Sequence, residues 1–391
     1  MQQKQMKILY ILKHNPWGIG GGCYACHNYL EAFSTIYTNA QIDVCICAEY
    51  LQNTDKQEFP NANFIPMKER SIASKLLAPI TGILHRHQNM ASKLLKQNNY
   101  DLCIFDHNSI AGSLCLLCKK MNIKTIVINH NCEYDYFKDN TPSLIKRLLL
   151  LPAIRRNERI SYTNCDYNLF LTEEDKTHFA TIYKHSTTKK IVSGCFLSRN
   201  VANCQSVLPP FNKDAIKIVI SGTIGNVQNM DGITYFLDEL YQILPQNVEV
   251  VITGKNPPKP LIERLKNYAN ITLIPNPENM DEVIHNCDIF LCPTRLGGGI
   301  KLRIMDGLRN GLPIIAHKVS ARGYGDFIKN GMMSVFSNKD EFRVAIETVL
   351  TNIRKDRISK TIVRDYFFRN CNFANAVAIL STISIKTGKY L

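Results

Sequence analysis

Residues 295–315 read RLGGGIKLRIMDGLRNGLPII, and this stretch decides the fold. It is entered from the apolar run DIFLC (288–292) and left through PIIA (313–316). Continuous apolar runs of this length are what strands covered on both faces look like. Between them Gly297, Gly298 and Gly299 make a strand-to-helix turn whose backbone can approach a ligand with no Cβ in the way. The helix is expected to begin near Ile300, and the N–H groups of a helix start have no intrahelical partner, so they attract anions. Arg295, Lys301 and Arg303 add positive charge at that end. Asp306 follows Gly299 by seven residues, about two turns, on the same face. A carboxylate there can accept hydrogen bonds from a ribose diol while the turn holds a diphosphate. Gly307 and Gly311 allow close packing and end the helix. A plain strand, turn and helix with a solvated basic face is the bland alternative. The glycine triplet, the cations, the carboxylate and the flanking strands together argue against it.

Outward from this stretch the same alternation fills the chain. The first half carries MKILYIL (6–12), IDVCIC (42–47), DLCIF (101–105), KTIVI (124–128), YNLFL (167–171) and KKIV (189–192). The second half carries IKIVIS (216–221), VEVVIT (248–253), ITLI (271–274), DIFLC, PIIA and MSVF (333–336). Two such series, each with helical stretches between its runs, predict two doubly wound α/β domains. The expected boundaries are 1–197 for the first domain and 215–365 for the second. The polar, aperiodic stretch SRNVANCQSVLPPFNKD (198–214) reads as the linker between them. Residues 366–391 would form a C-terminal helix packing back toward the first domain, with NFANAVAILSTISI (372–385) as its apolar part.

Composition narrows the function. With 391 residues, 45% hydrophobic and 20% charged, the chain can build packed cores and is neither disordered nor collagen-like. Lys+Arg 47 minus Asp+Glu 33 gives +14, which favours a phosphate-bearing or polyanionic partner. No run reaches the roughly 18–20 apolar residues that span a bilayer. ILYIL (8–12) is too short for a secretory core, so a cytoplasmic protein is expected. The 14 cysteines sit mostly in apolar runs, as Cys45, Cys47, Cys103, Cys287 and Cys292 do, and read as small core residues. Cys23/Cys26 and Cys115/Cys118 have CxxC spacing but no second pair on a loop, so no metal site is expected.

The segment from Pro293 to Ile315 resembles the donor-binding motif of glycosyltransferase family 4, in its triple-glycine branch, whose members have the two-domain GT-B fold. SARGY (320–324) is similar to the glycine-bearing loop that follows. GTIGNVQNMDGITYFLDEL (222–240) is similar to the segment that opens the second domain, HNCE (130–133) to an H-N-x-E stretch, LTEEDKTHF (171–179) to an S-E-x-D segment, and GIGGG (18–22) to an early glycine-rich loop. The resemblance implies two Rossmann-like domains facing across a cleft. It implies donor contacts from Gly20, Gly21, Gly22, Gly222, Thr223, Asn229, Arg295, Gly297, Gly298, Gly299, Ile300, Lys301, Arg303 and Asp306. His130 would touch the donor sugar and polarise the reacting centre, and Glu133 would orient His130 or contact the acceptor. NPENMDEV (276–283) would lie beside the nucleotide base.

The implied reaction moves a sugar from a nucleotide-sugar donor to a glycan or lipid-linked acceptor. It would retain configuration and use neither metal nor cofactor, in surface polysaccharide or glycolipid synthesis. A nucleotide-sugar epimerase and a non-catalytic membrane-surface protein of the same fold are the alternatives. Two departures stand out. Gly298 and Asp306 occupy the places of a Glu pair found in many members, and SGTIGNVQNM (221–230) lacks the cations that usually grip the diphosphate. Gly18-x-Gly20-x-x-Cys23 also lacks the third glycine of a dinucleotide fingerprint, although Glu49 stands where a ribose-binding acid would.

Two basic stretches complete the reading. Between 68 and 96 six cations oppose one acid, giving +5, and between 146 and 159 five oppose one, giving +4. Basic amphipathic helices point to anionic headgroups on the inner face of a membrane, and a solvated face is the equal alternative. No nucleic-acid signature is present, so nucleic acid is not an expected partner.

Overall fold

The computed structural model describes residues 5–18, 20–51, 58–67, 77–78, 87–184, 186–199 and 208–383. The chain divides into two compact units, residues 1–199 with 373–391, and residues 200–372. Of the expected linker, 200–207 lie outside the described residues, as do 68–76 and 79–86 of the first basic stretch.

The first unit opens with β1 (Lys7–Leu12), α1 (Gly21–Ile36), β2 (Gln41–Cys47) and β3 (Ala62–Met67). It continues through α2 (His87–Gln97), β4 (Leu102–Asp106), α3 (Gly112–Lys120), β5 (Lys124–Asn129), α4 (Glu133–Asn140) and α5 (Leu144–Asn164). β6 (Tyr167–Phe170), α6 (Glu173–Ile182) and β7 (Lys189–Val192) complete its sheet. The seven strands are parallel in the order β3-β2-β1-β4-β5-β6-β7. Ile8, Leu9, Tyr10 and Ile11 of β1 are fully buried, as a central strand covered on both faces requires.

The run-and-helix pattern misses β3. ANFIPM carries Pro66, which cannot donate to a ladder, and the polar Asn63 dilutes the apolar signal. β3 is an edge strand, where a missing N–H is tolerated, and Pro66 sits in register opposite Ile46. α5 continues through Pro152 for 21 residues.

The second unit contains β8 (Ile216–Thr223), α7 (Val227–Tyr235), β9 (Val248–Lys255), α8 (Lys259–Leu265), β10 (Ile271–Pro275) and α9 (Met280–His285). β11 (Ile289–Cys292), α10 (Arg303–Arg309), β12 (Ile314–His317), α11 (Gly325–Lys329) and β13 (Met333–Phe336) follow. α12 (Lys339–Arg354) and α13 (Lys360–Asn370) close it. Its six parallel strands run β10-β9-β8-β11-β12-β13. The chain then returns to the first unit as α14 (Phe373–Ser381), which lies along α1. Phe373 meets Phe196 edge-on at 6.4 Å between ring centres, and Arg199 stands 5.3 Å over the Phe373 ring.

Each sheet reverses its strand order once, beside β1 and β4 in the first and beside β8 and β11 in the second. The carboxyl ends of such strand pairs are where doubly wound sheets hold ligands.

Candidate active site

In the second unit the strand ends at the reversal are Ser221–Thr223 and Pro293–Thr294. A small recess opens between them, lined also by Asn229 and Arg303. Gly222 sits at φ +141°, and a Cβ there would stand 3.1 Å from Arg303 Nη1 and 3.2 Å from Asn229 Nδ2. Asn229 is buried and donates to the Thr223 carbonyl at 2.7 Å, fixing the loop. Gly254, in the next strand, has its α-carbon against the Gly222 carbonyl where no side chain fits.

Arg303 is the cation of this recess. Its Nη1 lies 3.5 Å from the Ser221 carbonyl, and among the described residues it forms no ion pair. It thus reaches the end of β8, where the sequence carries no cation of its own. Arg295 does not share that place. Its guanidinium holds Asp231 with both arms at 3.0 and 3.2 Å and stacks 4.6 Å over the Tyr235 ring. Lys301 is buried at 6% exposure, with Nζ 3.2 Å from the Gly298 carbonyl and 3.3 Å from Gln228 Oε1.

The turn is longer than the sequence predicts. α10 begins at Arg303, not near Ile300, so Gly297 through Leu302 form an irregular loop. Gly297 and Gly299 both lie at positive φ, +86° and +67°, and Gly298 has open space where a Cβ would stand. The following loop holds this turn in place. Ser320 donates to the Thr294 carbonyl at 2.6 Å, and the Tyr324 hydroxyl donates to the Lys301 carbonyl at 3.0 Å. Asp306 is half-buried and does not line the recess. It pairs with Arg309 at 3.1 Å, and Asp281 at the start of α9 binds the same guanidinium at 2.5 Å. Burial pushes the Asp306 carboxyl up to about 6, with Arg309 and Arg303 pulling against it and Asp281 adding to it.

In the first unit His130 follows β5 directly and is 9% exposed. Its Nε2 lies 2.5 Å from Asp106 Oδ1 at the end of β4, a carboxylate with no exposure. Asp106 also accepts from the Tyr10 hydroxyl at 2.8 Å and from the Cys26 thiol at 3.3 Å. Asp106, not Glu133, therefore orients His130. Glu133 opens α4 and accepts from Lys13 Nζ at 3.1 Å, with His107 Nε2 lying 3.2 Å from its other oxygen. His107 stacks on His130 with ring centres 5.3 Å apart, and holds φ +129°, a conformation rare for a side-chain-bearing residue. His14, after β1, packs against Gly22, and burial beside Lys13 and His130 lowers its imidazole to about 4. Gly20 lies at φ +122° with open space where a Cβ would stand, and α1 begins at Gly21.

Glu158 of α5 ties this region together. It accepts from the backbone N–H groups of Glu133 and Tyr134, from Asn108 Nδ2 at 2.8 Å and from the Tyr183 hydroxyl at 2.6 Å. Burial lifts its carboxyl to about 7 against these donors.

Among the described residues, two groups offer metal-ligand atoms within 4.8 Å of one another, Cys26 with Asp106 and His130, and Cys132 with Asp135 and His178. In both the carboxylate already faces the histidine as its hydrogen-bond partner. Asp106, His107, Lys13 and His14 belong to no motif that marks them in the sequence. The pair Asp106-His107 directly follows the run DLCIF, and its place at a central strand end was the available signal.

Residues 216–352 match the family described as Glycosyl transferases group 1. An uncharacterized 44.6 kDa protein in a cps region of Klebsiella pneumoniae is 22% identical over 270 residues, 63% of this chain and 64% of that protein. The match thus spans less than two thirds of that relative. Sucrose-phosphate synthase from Thermosynechococcus elongatus superposes with a TM-score of 0.72 at 12% identity, covering 97% of this chain and 98% of that one. Anabaena Alr3699/HepE, solved in complex with UDP, superposes at 0.66 with 10% identity, covering 97% and 99%. The two parallel sheets are those of the GT-B fold, and within it residues 216–352 are similar to the Glycosyl transferases group 1 family.

Proposed function

We propose that the chain is a glycosyltransferase that takes a nucleotide-sugar donor in its second unit and passes the sugar to a glycan or lipid-linked acceptor. The observation that carries this reading is Arg303. Its guanidinium hangs over Gly222 at the strand reversal, inside the segment that matches the family. A departing diphosphate gains negative charge as the glycosidic bond breaks, and a cation held beside glycine backbone stabilises it without moving. The open turn at Gly297–Gly299 offers backbone to the same group.

His130 is the reactive side chain of the first unit in this reading. Asp106 takes the Nε2 hydrogen bond and leaves Nδ1 as the ring atom that meets substrate, so Asp106 is a positioning residue. The bond from the anomeric carbon to the diphosphate breaks while the acceptor oxygen bonds on the same face. The acceptor proton passes to the departing phosphate oxygen, and configuration is retained. The neutralising charge in this scheme is Arg303, with no cation drawn from solution. The relative from a cps region is in keeping with surface polysaccharide or glycolipid as the product class.

Calorimetry with UDP and GDP tests the donor site. Arg303→Ala should weaken the preferred nucleotide at least about tenfold, the loss of a charge-assisted contact. Arg295→Ala, already committed to Asp231, should change it by less than about threefold. Asp106→Asn should bind nucleotide as the wild type does and lose at least about a hundredfold in turnover. Wild-type affinity in Arg303→Ala would remove the donor-site assignment. NMR of the product's anomeric proton reads the stereochemistry.

A further inference from the structure

The first two turns of α5 leave four large aliphatic side chains in solvent. Leu144 is 67% exposed, Ile145 71%, Leu148 68% and Leu149 56%. At 3.6 residues per turn these four lie within one arc of about 140°. Pro152, also exposed, falls in that arc, and so do Arg155, Arg156 and Arg159 on the next two turns. The exposed face is therefore apolar for about 12 Å and cationic for the next 10 Å or so, along one line. The opposite face is buried through Ala153, Ile154, Asn157 and Glu158. Glu158 is the helix's one carboxylate, and it is turned inward at 1% exposure, so it does not offset the arginines.

Scattered single aliphatics are ordinary on a surface, but four neighbours at more than half exposure are not. We propose that this face of α5 docks on an anionic lipid bilayer. Leu144, Ile145, Leu148 and Leu149 enter the acyl boundary, and Arg155, Arg156 and Arg159 lie in the phosphate layer. The occupant is identified by the order of chemistry along the axis. A bilayer surface presents hydrocarbon and then phosphate over the same span, and an arginine fork pairs with phosphate. Lys146, exposed beside the apolar turns, adds to the attraction. No helix among the described residues is long and apolar enough to cross a membrane, so docking here is peripheral. The inference stands apart from the donor-site reading, since none of these residues lines the recess at Gly222.

The test is sedimentation of the full chain with vesicles of phosphatidylcholine alone and with 30% phosphatidylglycerol, at about 0.1 M salt. The wild type should partition to the anionic vesicles at least about tenfold better than to the neutral ones. Leu148→Glu/Leu149→Glu should lose at least about tenfold of that binding. Arg155→Gln/Arg156→Gln/Arg159→Gln should lose the preference for anionic lipid. The fluorescence melting of Trp17 reports that each variant is folded, and Leu144→Ser/Ile145→Ser serves where the glutamate pair lowers it. Equal binding by wild type and both aliphatic variants overturns the proposal, as does a wild type indifferent to phosphatidylglycerol. A wild-type dimer in the ultracentrifuge that Leu148→Glu/Leu149→Glu dissolves also overturns it, because the face then belongs to a second copy.

Discussion

His14 shows how much a single ring can carry. It sits after β1 with Gly22 against it, where a Cβ on that glycine would stand 3.0 Å from the imidazole. Its titration is lowered from 6.5 to about 4, first by burial and then by Lys13 and His130. The unfolded chain takes up a proton there as pH drops below 6.5, and the folded chain refuses it until about 4. Stability from this group is thus complete above pH 6.5 and is lost as pH falls through that window. Asp306 and Glu158 act in the opposite sense, because their folded carboxyls sit at about 6 and about 7, above the unfolded values. Lowering the pH through those values favours the folded chain. The difference between His14→Asn and wild type isolates the imidazole. The variant should gain on the wild type, by at most about 3 kcal/mol between pH 7 and 4, in urea titrations. An identical pH slope in both would show that His14 is not held neutral. Residue identities of this kind were only half legible. Arg303 announces itself as a cation near a glycine turn, but its target, the end of β8, depends on packing between segments 82 positions apart. Asp106 is one acid at a strand end, and nothing periodic marks it.

At the scale of elements, the strands buried on both faces were legible because their residues have no polar side to show. All six of the second unit fall on the apolar runs. β3 escaped notice because an edge strand tolerates Pro66 and the polar Asn63. The start of α10 was misjudged by about one turn, since three glycines carry no signal for where irregular backbone ends. Its packing, by contrast, was forecast by Gly307. A Cβ at that position would meet Phe290 at 2.7 Å and Ile314 Cδ1 at 2.9 Å, so the helix lies directly on β11 and β12. Gly307→Ala should therefore destabilise the second unit by about 1–3 kcal/mol in spite of alanine's better helix propensity. Equilibrium urea unfolding reads the change, and an unchanged or raised midpoint would mean that α10 stands further from the sheet.

At the scale of the molecule, the first unit is made of two separate stretches of chain. α14 lays Phe373, Ala376 and Leu380 into it, beside α1 and Phe196. Deleting 373–391 should lower the melting transition of the first unit by at least about 5 °C. Trp17, the chain's one tryptophan and a residue of that unit, reports it by fluorescence. Nucleotide binding by residues 200–372 should persist in the same truncated protein. Loss of binding together with an unmoved Trp17 transition would contradict the division into units.

This return of the chain also orders events during synthesis. The ribosome has finished every residue of the second unit before it makes the helix that the first unit is waiting for. Until then α1 keeps an uncovered greasy flank in the crowded cell. A nascent chain stalled anywhere between 200 and 372 would thus be a natural client for holdase chaperones, while its later half, once released, is free to fold at its own pace.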